Sequence, residues 1–111
     1  MFLGLDGEGK FDNSTETIVR HIDYAVQLIG PHHVGLGLDY VFDVSELEEF
    51  LQKHPERFPA DARKPGGYRQ VEPERFPVIA EALLKKGYRE SDVQGILGHN
   101  NLRVARQVWK S

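Results

Sequence analysis

The 111-residue sequence predicts an α/β unit, mostly helical with one clear strand. Three observations predict it. Apolar residues recur at helical spacing over most of the chain. One short segment, around His33 to Tyr40, alternates with a period of two instead. Gly-Pro and Pro-rich stretches separate these elements. The length fits one small domain at most.

The first helix is expected from about Thr15 to Ile29. Ile18, Ile22, Ala25 and Ile29 form a stripe that Val19 and Val26 widen. Asn13, with Glu16 three residues later, matches a capping box, and Gly30-Pro31 stops the helix. Residues 1–14 show no sustained period and are expected to be irregular. The strand is expected at residues 33–39. Val34, Leu36 and Leu38 lie on one face, and Gly35, Gly37 and Asp39 lie on the other. A carboxylate thus sits at the C-terminal end, on the side of two residues without side chains. Glycine inside a strand often marks a close approach of other groups.

Ser45, with Glu48, is expected to cap a helix running to about Gln52, which His54-Pro55 ends. Residues 55–72 form a loop containing Pro55, Pro59, Pro65, Gly66 and Gly67. A loop of that length in a small domain is usually functional or mobile. Pro73 suits the first position of the next helix, whose stripe is Phe76, Ile79, Ala80, Leu83 and Leu84 and which Gly87 ends. Ser91 is expected to cap a short helix closing at Gly98. Asn100 or Asn101 caps a last one carrying Leu102, Val104, Ala105, Val108 and Trp109. One strand cannot make a sheet, because its backbone groups need partners. The chain is therefore either all-helical with one deviant segment or a piece of a larger α/β protein.

Composition narrows the function classes. With 14 Lys and Arg against 17 Asp and Glu, the net charge is −3 and the pI near 5.9, unsuited to gripping a nucleic acid backbone. The sequence has no cysteine, so disulfides, thiolate metal sites and cysteine nucleophiles are excluded. No apolar run approaches the ~20 residues of a membrane span. Met1 to Asp6 does not read as a signal peptide. A cytoplasmic location is expected.

Three separated motifs carry a family resemblance: Arg20-His21-Ile22-Asp23-Tyr24, Val34-Gly35-Leu36-Gly37-Leu38-Asp39-Tyr40 and Ile96-Leu97-Gly98-His99-Asn100-Asn101-Leu102-Arg103-Val104. In this order, with the Pro73 to Val93 stretch between the last two, they resemble the membrane dipeptidase (renal dipeptidase-like) metallopeptidases over residues 13–110. That family consists of (β/α)8 barrels with zinc at the C-terminal mouth, and its members hydrolyse dipeptides. The resemblance implies that residues 1–111 are a single partial domain, the C-terminal part of a TIM-barrel metallohydrolase. Residues 15–29 would be the last crossover helix and residues 33–39 the eighth strand.

By the same resemblance Asp39 matches the catalytic aspartate, at the strand end where barrel enzymes place their chemistry. It would take a proton from a metal-activated water and deliver it to the leaving amine. Tyr40, Tyr68 and Arg69, which follow the strand, are candidate substrate contacts. The chain departs from the family in two places. Gly37-Leu38-Asp39-Tyr40-Val41-Phe42-Asp43 stands where the family commonly reads Gly-Ser-Asp-Phe-Asp-Gly. Gly98-His99-Asn100 replaces a Gly-Gly-Asn turn. The family's metal ligands come from earlier strands that this sequence does not contain. The full-length family would therefore hold zinc and a dipeptide, whereas this chain is expected to supply no metal ligand, to bind no zinc stoichiometrically and to be inactive alone. Self-association through the strand edges or apolar face is expected.

Other histidines and glycines have simpler readings. His21 and Asp23 are two apart on a helix and do not face each other. The adjacent His32 and His33 point to opposite sides of a strand. His54 is a helix end and His99 a turn residue. Gly35-x-Gly37 is too short for a dinucleotide fingerprint, and Gly66-Gly67 lacks the Lys-Ser/Thr of a phosphate loop. Glu46, Glu48 and Glu49 are a solvated helix face. A second function class is a ubiquitin-associated-like three-helix binding module in residues 73–110, with a contact patch around Gly87-Tyr88.

Overall fold

The computed structural model describes residues 12–58, 60 and 70–109. Five α-helices form there: α1 (Thr15–Ile29), α2 (Val44–Lys53), α3 (Phe76–Lys85), α4 (Glu90–Gln94) and α5 (Asn100–Val108). Short 3-10 turns cover Pro31–His33, Pro55–Arg57 and Pro73–Arg75, and a π-helical turn, Gly95–His99, joins α4 to α5. Tyr68, Arg69, Gly66, Gly67 and most of the irregular N-terminal stretch lie outside the described residues.

The expected strand does not form. No strand occurs among the described residues, so neither a sheet nor a barrel is present there, and the α/β assignment is corrected to helical. The cause lies in where the backbone bonds go. Residues 34–41 are not helical, and Val34 is extended at φ −104° and ψ 132°. The Leu36 N–H donates to the Ile96 carbonyl (2.9 Å) in the π-helical turn. The Val34 carbonyl accepts from Asn100 Nδ2 (2.8 Å). Val41 bonds the side-chain amide of Gln70 through both its N–H and its carbonyl. These groups are satisfied by a turn and by side chains, with no second strand involved. His33 falls in the 3-10 turn instead of opening a strand.

The burial side was nevertheless correctly read. Val34 and Leu38 are buried and Leu36 is half-buried against the core, while Gly35, Gly37 and Asp39 face outward. That core gathers Ile18, Val19 and Ile22 of α1 with Val71, Ile79, Leu83, Val93 and Ile96. α1 packs on α3, and α3 on α4. Deeply buried Ile and Leu side chains contribute about 1.5–3 kcal/mol each, which holds the helices together.

Helix ends differ in detail from the expected caps. α1 is capped by Ser14, whose Oγ accepts from the Thr17 N–H (3.2 Å), while Asn13 reaches away to the Gln70 carbonyl (2.7 Å). Asp12 supports that cap by accepting from the Ser14 N–H (2.8 Å) and the Thr17 hydroxyl (2.6 Å), which hold its carboxyl below the usual range. Asp43, two residues before Ser45, caps α2 by accepting from the Ser45 and Glu46 N–H groups. α3 begins at Phe76, after the 3-10 turn that Pro73 opens. α4 is preceded by Arg89, with no side-chain cap from Ser91. Gly30, at φ 82°, ends α1 in a conformation that disfavours other residues, and its N–H reaches the Val26 carbonyl (2.8 Å).

Candidate functional site

The site is built on the extended segment 34–41. Its inward side chains fix which way it faces, and its outward row ends at Asp39. Asp39 is exposed and is the one described non-glycine residue with positive φ, at 48°. Asp and Asn are the side chains that tolerate this left-handed region best after glycine. The chain therefore turns at the carboxylate itself. Tyr40 follows, half-buried against the core, with its ring edge-on to Phe42 at 4.9 Å between centroids. Phe42 is 85% exposed. Asp43 then caps α2, so the site residue lies four positions before a helix cap.

Close packing supports the segment from the α5 side. Asn100 Nδ2 donates to the carbonyls of Pro31 and Val34, both at 2.8 Å. A Cβ at Gly35 would collide with the Asn101 side chain, so glycine there permits the approach of α5. Arg103 adds bonds to Asn100 Oδ1 (3.3 Å) and the His32 carbonyl (2.6 Å). Gly35 thus admits a helix end, the close approach that glycine in this segment suggested, whereas among the described residues nothing would lie within 4 Å of a Cβ at Gly37.

Of the predicted site residues, Asp39 and Tyr40 are adjacent on this segment. Tyr68 and Arg69 lie outside the described residues. Gln70, which follows them, bonds Val41. Gln70 and Asn100 were not singled out as site residues from sequence. Their contacts cross 29 and 66 residues of chain, and periodicity carries no signal for such bonds.

The histidine motifs do not converge. Asp23 accepts from the Tyr88 hydroxyl (2.6 Å) and pairs with Lys86 (3.6 Å). The Tyr88 hydrogen bond, helped by Lys86, holds the Asp23 carboxyl below its usual value. Burial pushes the Tyr88 hydroxyl up to about 12, and the Asp23 carboxylate adds to the rise. His32 and His33 are exposed on the 3-10 turn. His54 ends α2, with its ring 4.6 Å from that of Phe50. His99 is exposed and lines an open groove of about 460 Å³ with Leu102, Arg103, Arg106 and Gln107. A second open groove, of about 470 Å³, runs beside Asp23 and Tyr88, and neither groove is lined by Asp39. Among the described residues no three His, Asp or Glu side chains are placed to hold a metal ion. No helix of the described chain is long and apolar enough to cross a membrane.

Comparison with known proteins finds partial matches to dipeptidases. Dipeptidase 3 of Rattus norvegicus is 30% identical over 95 residues, 86% of this chain and 15% of that protein. Dipeptidase ataJ of Aspergillus terreus is 30% identical over 91 residues, 82% of this chain and 17% of that protein. The matches support a dipeptidase-like family. An uncharacterized protein in the pqqA 5' region of Klebsiella pneumoniae is 32% identical over 109 residues, 98% of this chain and 32% of that protein. The chain thus spans about a third of one relative and about a sixth of the two dipeptidases. No family model matches the chain, and no solved structure matches it.

Proposed function

We propose that this chain is part of a peptide hydrolase that cleaves dipeptides, and that Asp39 is the residue through which it takes part in the reaction. The observation that carries this reading is the presentation of Asp39. It lies in the Val34 to Tyr40 motif that resembles the dipeptidases, on the outward face of a segment whose other face is locked in the core. In hydrolysis, a water oxygen bonds to the peptide carbonyl carbon and loses a proton. The Asp39 carboxylate accepts that proton. As the C–N bond breaks, the same group returns it to the leaving amine, and two free amino acids result. An outward-facing carboxylate can begin this cycle as a base. Tyr40 beside the turn, together with Tyr68 and Arg69, is assigned to contact the substrate.

The resemblance implies zinc in the full-length family. The described residues do not provide a set of ligands for it, so the parts of the reaction assigned to this chain are proton transfer and substrate contact. The 111 residues by themselves are inactive in this account. The apolar face expected to mediate self-association, Val34, Leu36 and Leu38, packs into the chain's own core, so self-association is assigned instead to exposed apolar side chains such as Phe42, Trp109 and Leu28.

The test is release of free amino acids from a panel of dipeptides and longer peptides, with metal content measured alongside. The intact protein is expected to cleave dipeptides, whereas the 111-residue chain releases nothing and holds no stoichiometric metal. Turnover by the short chain with tight zinc, or no dipeptide cleavage by the intact protein, would contradict the proposal.

A further inference from the structure

An extended segment without a strand beside it must find other partners for its backbone. At Val41 that partner is one side chain. Gln70 Oε1 accepts from the Val41 N–H at 2.6 Å, and Gln70 Nε2 donates to the Val41 carbonyl at 3.1 Å. Two opposed residues of an antiparallel pair exchange this same pair of bonds. The amide orientation is dictated by its partners, because a flipped amide would set donor against donor and acceptor against acceptor.

We propose that Gln70 is a positioning residue for Asp39, acting as a one-residue substitute for a neighbouring strand. Leu38, just before the carboxylate, is anchored in the core. Val41, two residues after it, is anchored by Gln70. The left-handed turn at Asp39 and the half-buried Tyr40 lie between these fixed points. Gln70 is itself held on both sides. Its carbonyl accepts from Asn13 Nδ2 (2.7 Å), and the next residue, Val71, is buried in the core. The Asn13 carbonyl accepts from Arg75 Nη2 (2.9 Å), which also donates to the Thr15 hydroxyl (2.9 Å). A continuous set of bonds therefore runs from the start of α1, through Gln70, to the backbone beyond Asp39. Misplacing a reacting group by ~1 Å can cost ~100-fold in rate, so even a partial loosening of this hold is measurable.

This inference rests on Asp39 being the proton-transfer group. The experiment compares Gln70→Glu, Gln70→Ala and Asp39→Asn in the intact protein, reading kcat and KM for a dipeptide and amide hydrogen exchange at Val41. At neutral pH Gln70→Glu keeps the size and the acceptor but loses the donor to the Val41 carbonyl. Gln70→Ala loses both. The expected order of kcat is wild type, Gln70→Glu, then Gln70→Ala, the last lower by about 10-fold or more with KM little changed. Exchange at Val41 should accelerate most in Gln70→Ala. If Gln70 only fills space, the equal-sized Gln70→Glu keeps wild-type kcat, and the inference is overturned. That comparison decides the matter even if Gln70→Ala does not fold. Should Asp39→Asn abolish turnover while both Gln70 variants keep it, the role of Gln70 fails and the reading of Asp39 stands. Wild-type turnover in Asp39→Asn would overturn both.

Discussion

Asp39 sets a backbone requirement as well as a chemical one. At φ 48° it occupies the left-handed region, which costs an ordinary L-residue about 1–2 kcal/mol. Two variants that both remove the carboxylate should therefore differ in stability. Asp39→Gly is expected to be more stable than Asp39→Ala by about 1 kcal/mol in urea denaturation, although both lose the proposed chemistry. Equal stabilities would show that the turn relaxes. The Tyr88–Asp23 pair makes a second residue-scale prediction, through pH. Asp23 is held below its ordinary value of 3.8, so its contribution is complete above that value and is lost as pH falls below it. Tyr88 is raised to about 12, so its contribution is complete below 10 and is lost as pH rises from 10 to 12. Tyr88→Phe should lower the denaturation midpoint at neutral pH and flatten the fall on both the acid and the alkaline sides. Parallel wild-type and variant profiles would show that the bond contributes nothing to folding.

Among the elements, α1 was legible to the residue, because its stripe is long and Gly30-Pro31 stops it. The caps were less legible. Asn13, Ser14, Asp43 and Ser45 are all good capping residues, and only the path of the incoming chain selects Ser14 and Asp43. The alternation at residues 34–38 correctly revealed which side chains are buried. It could not reveal strand pairing, which depends on a neighbouring backbone that the pattern of one segment does not contain. In α5 the apolar residues Leu102, Val104 and Val108 are each about half exposed or more. What docks α5 is polar: Asn100, 7% exposed, bonding two carbonyls of the segment that leads to Asp39. Asn100→Ala would leave those carbonyls without this donor and is expected to cost about 1–3 kcal/mol. Thermal or urea unfolding checks this, and an unchanged midpoint would mean that water replaces the amide at no cost.

At the scale of the whole molecule, the helical core of the described residues holds the extended segment 34–41, and that segment turns its carboxylate outward. The family could be read from the motifs because the residues nearest Asp39 and Asn100 are local strings. The site's supports could not, because Gln70 and Val41 meet only after the loop between them has closed. A partial match to much longer relatives also fits a surface on which Phe42, Trp109, Tyr24 and Leu28 are left exposed. The central claim is that Asp39 moves the proton during dipeptide cleavage. Its most direct test is kcat of Asp39→Asn in the intact protein, since Asn keeps the shape and tolerates the left-handed turn but cannot act as the base. The account predicts a fall of about 100-fold or more with KM little altered. An Asp39→Asn protein that turns over dipeptides at the wild-type rate would contradict it.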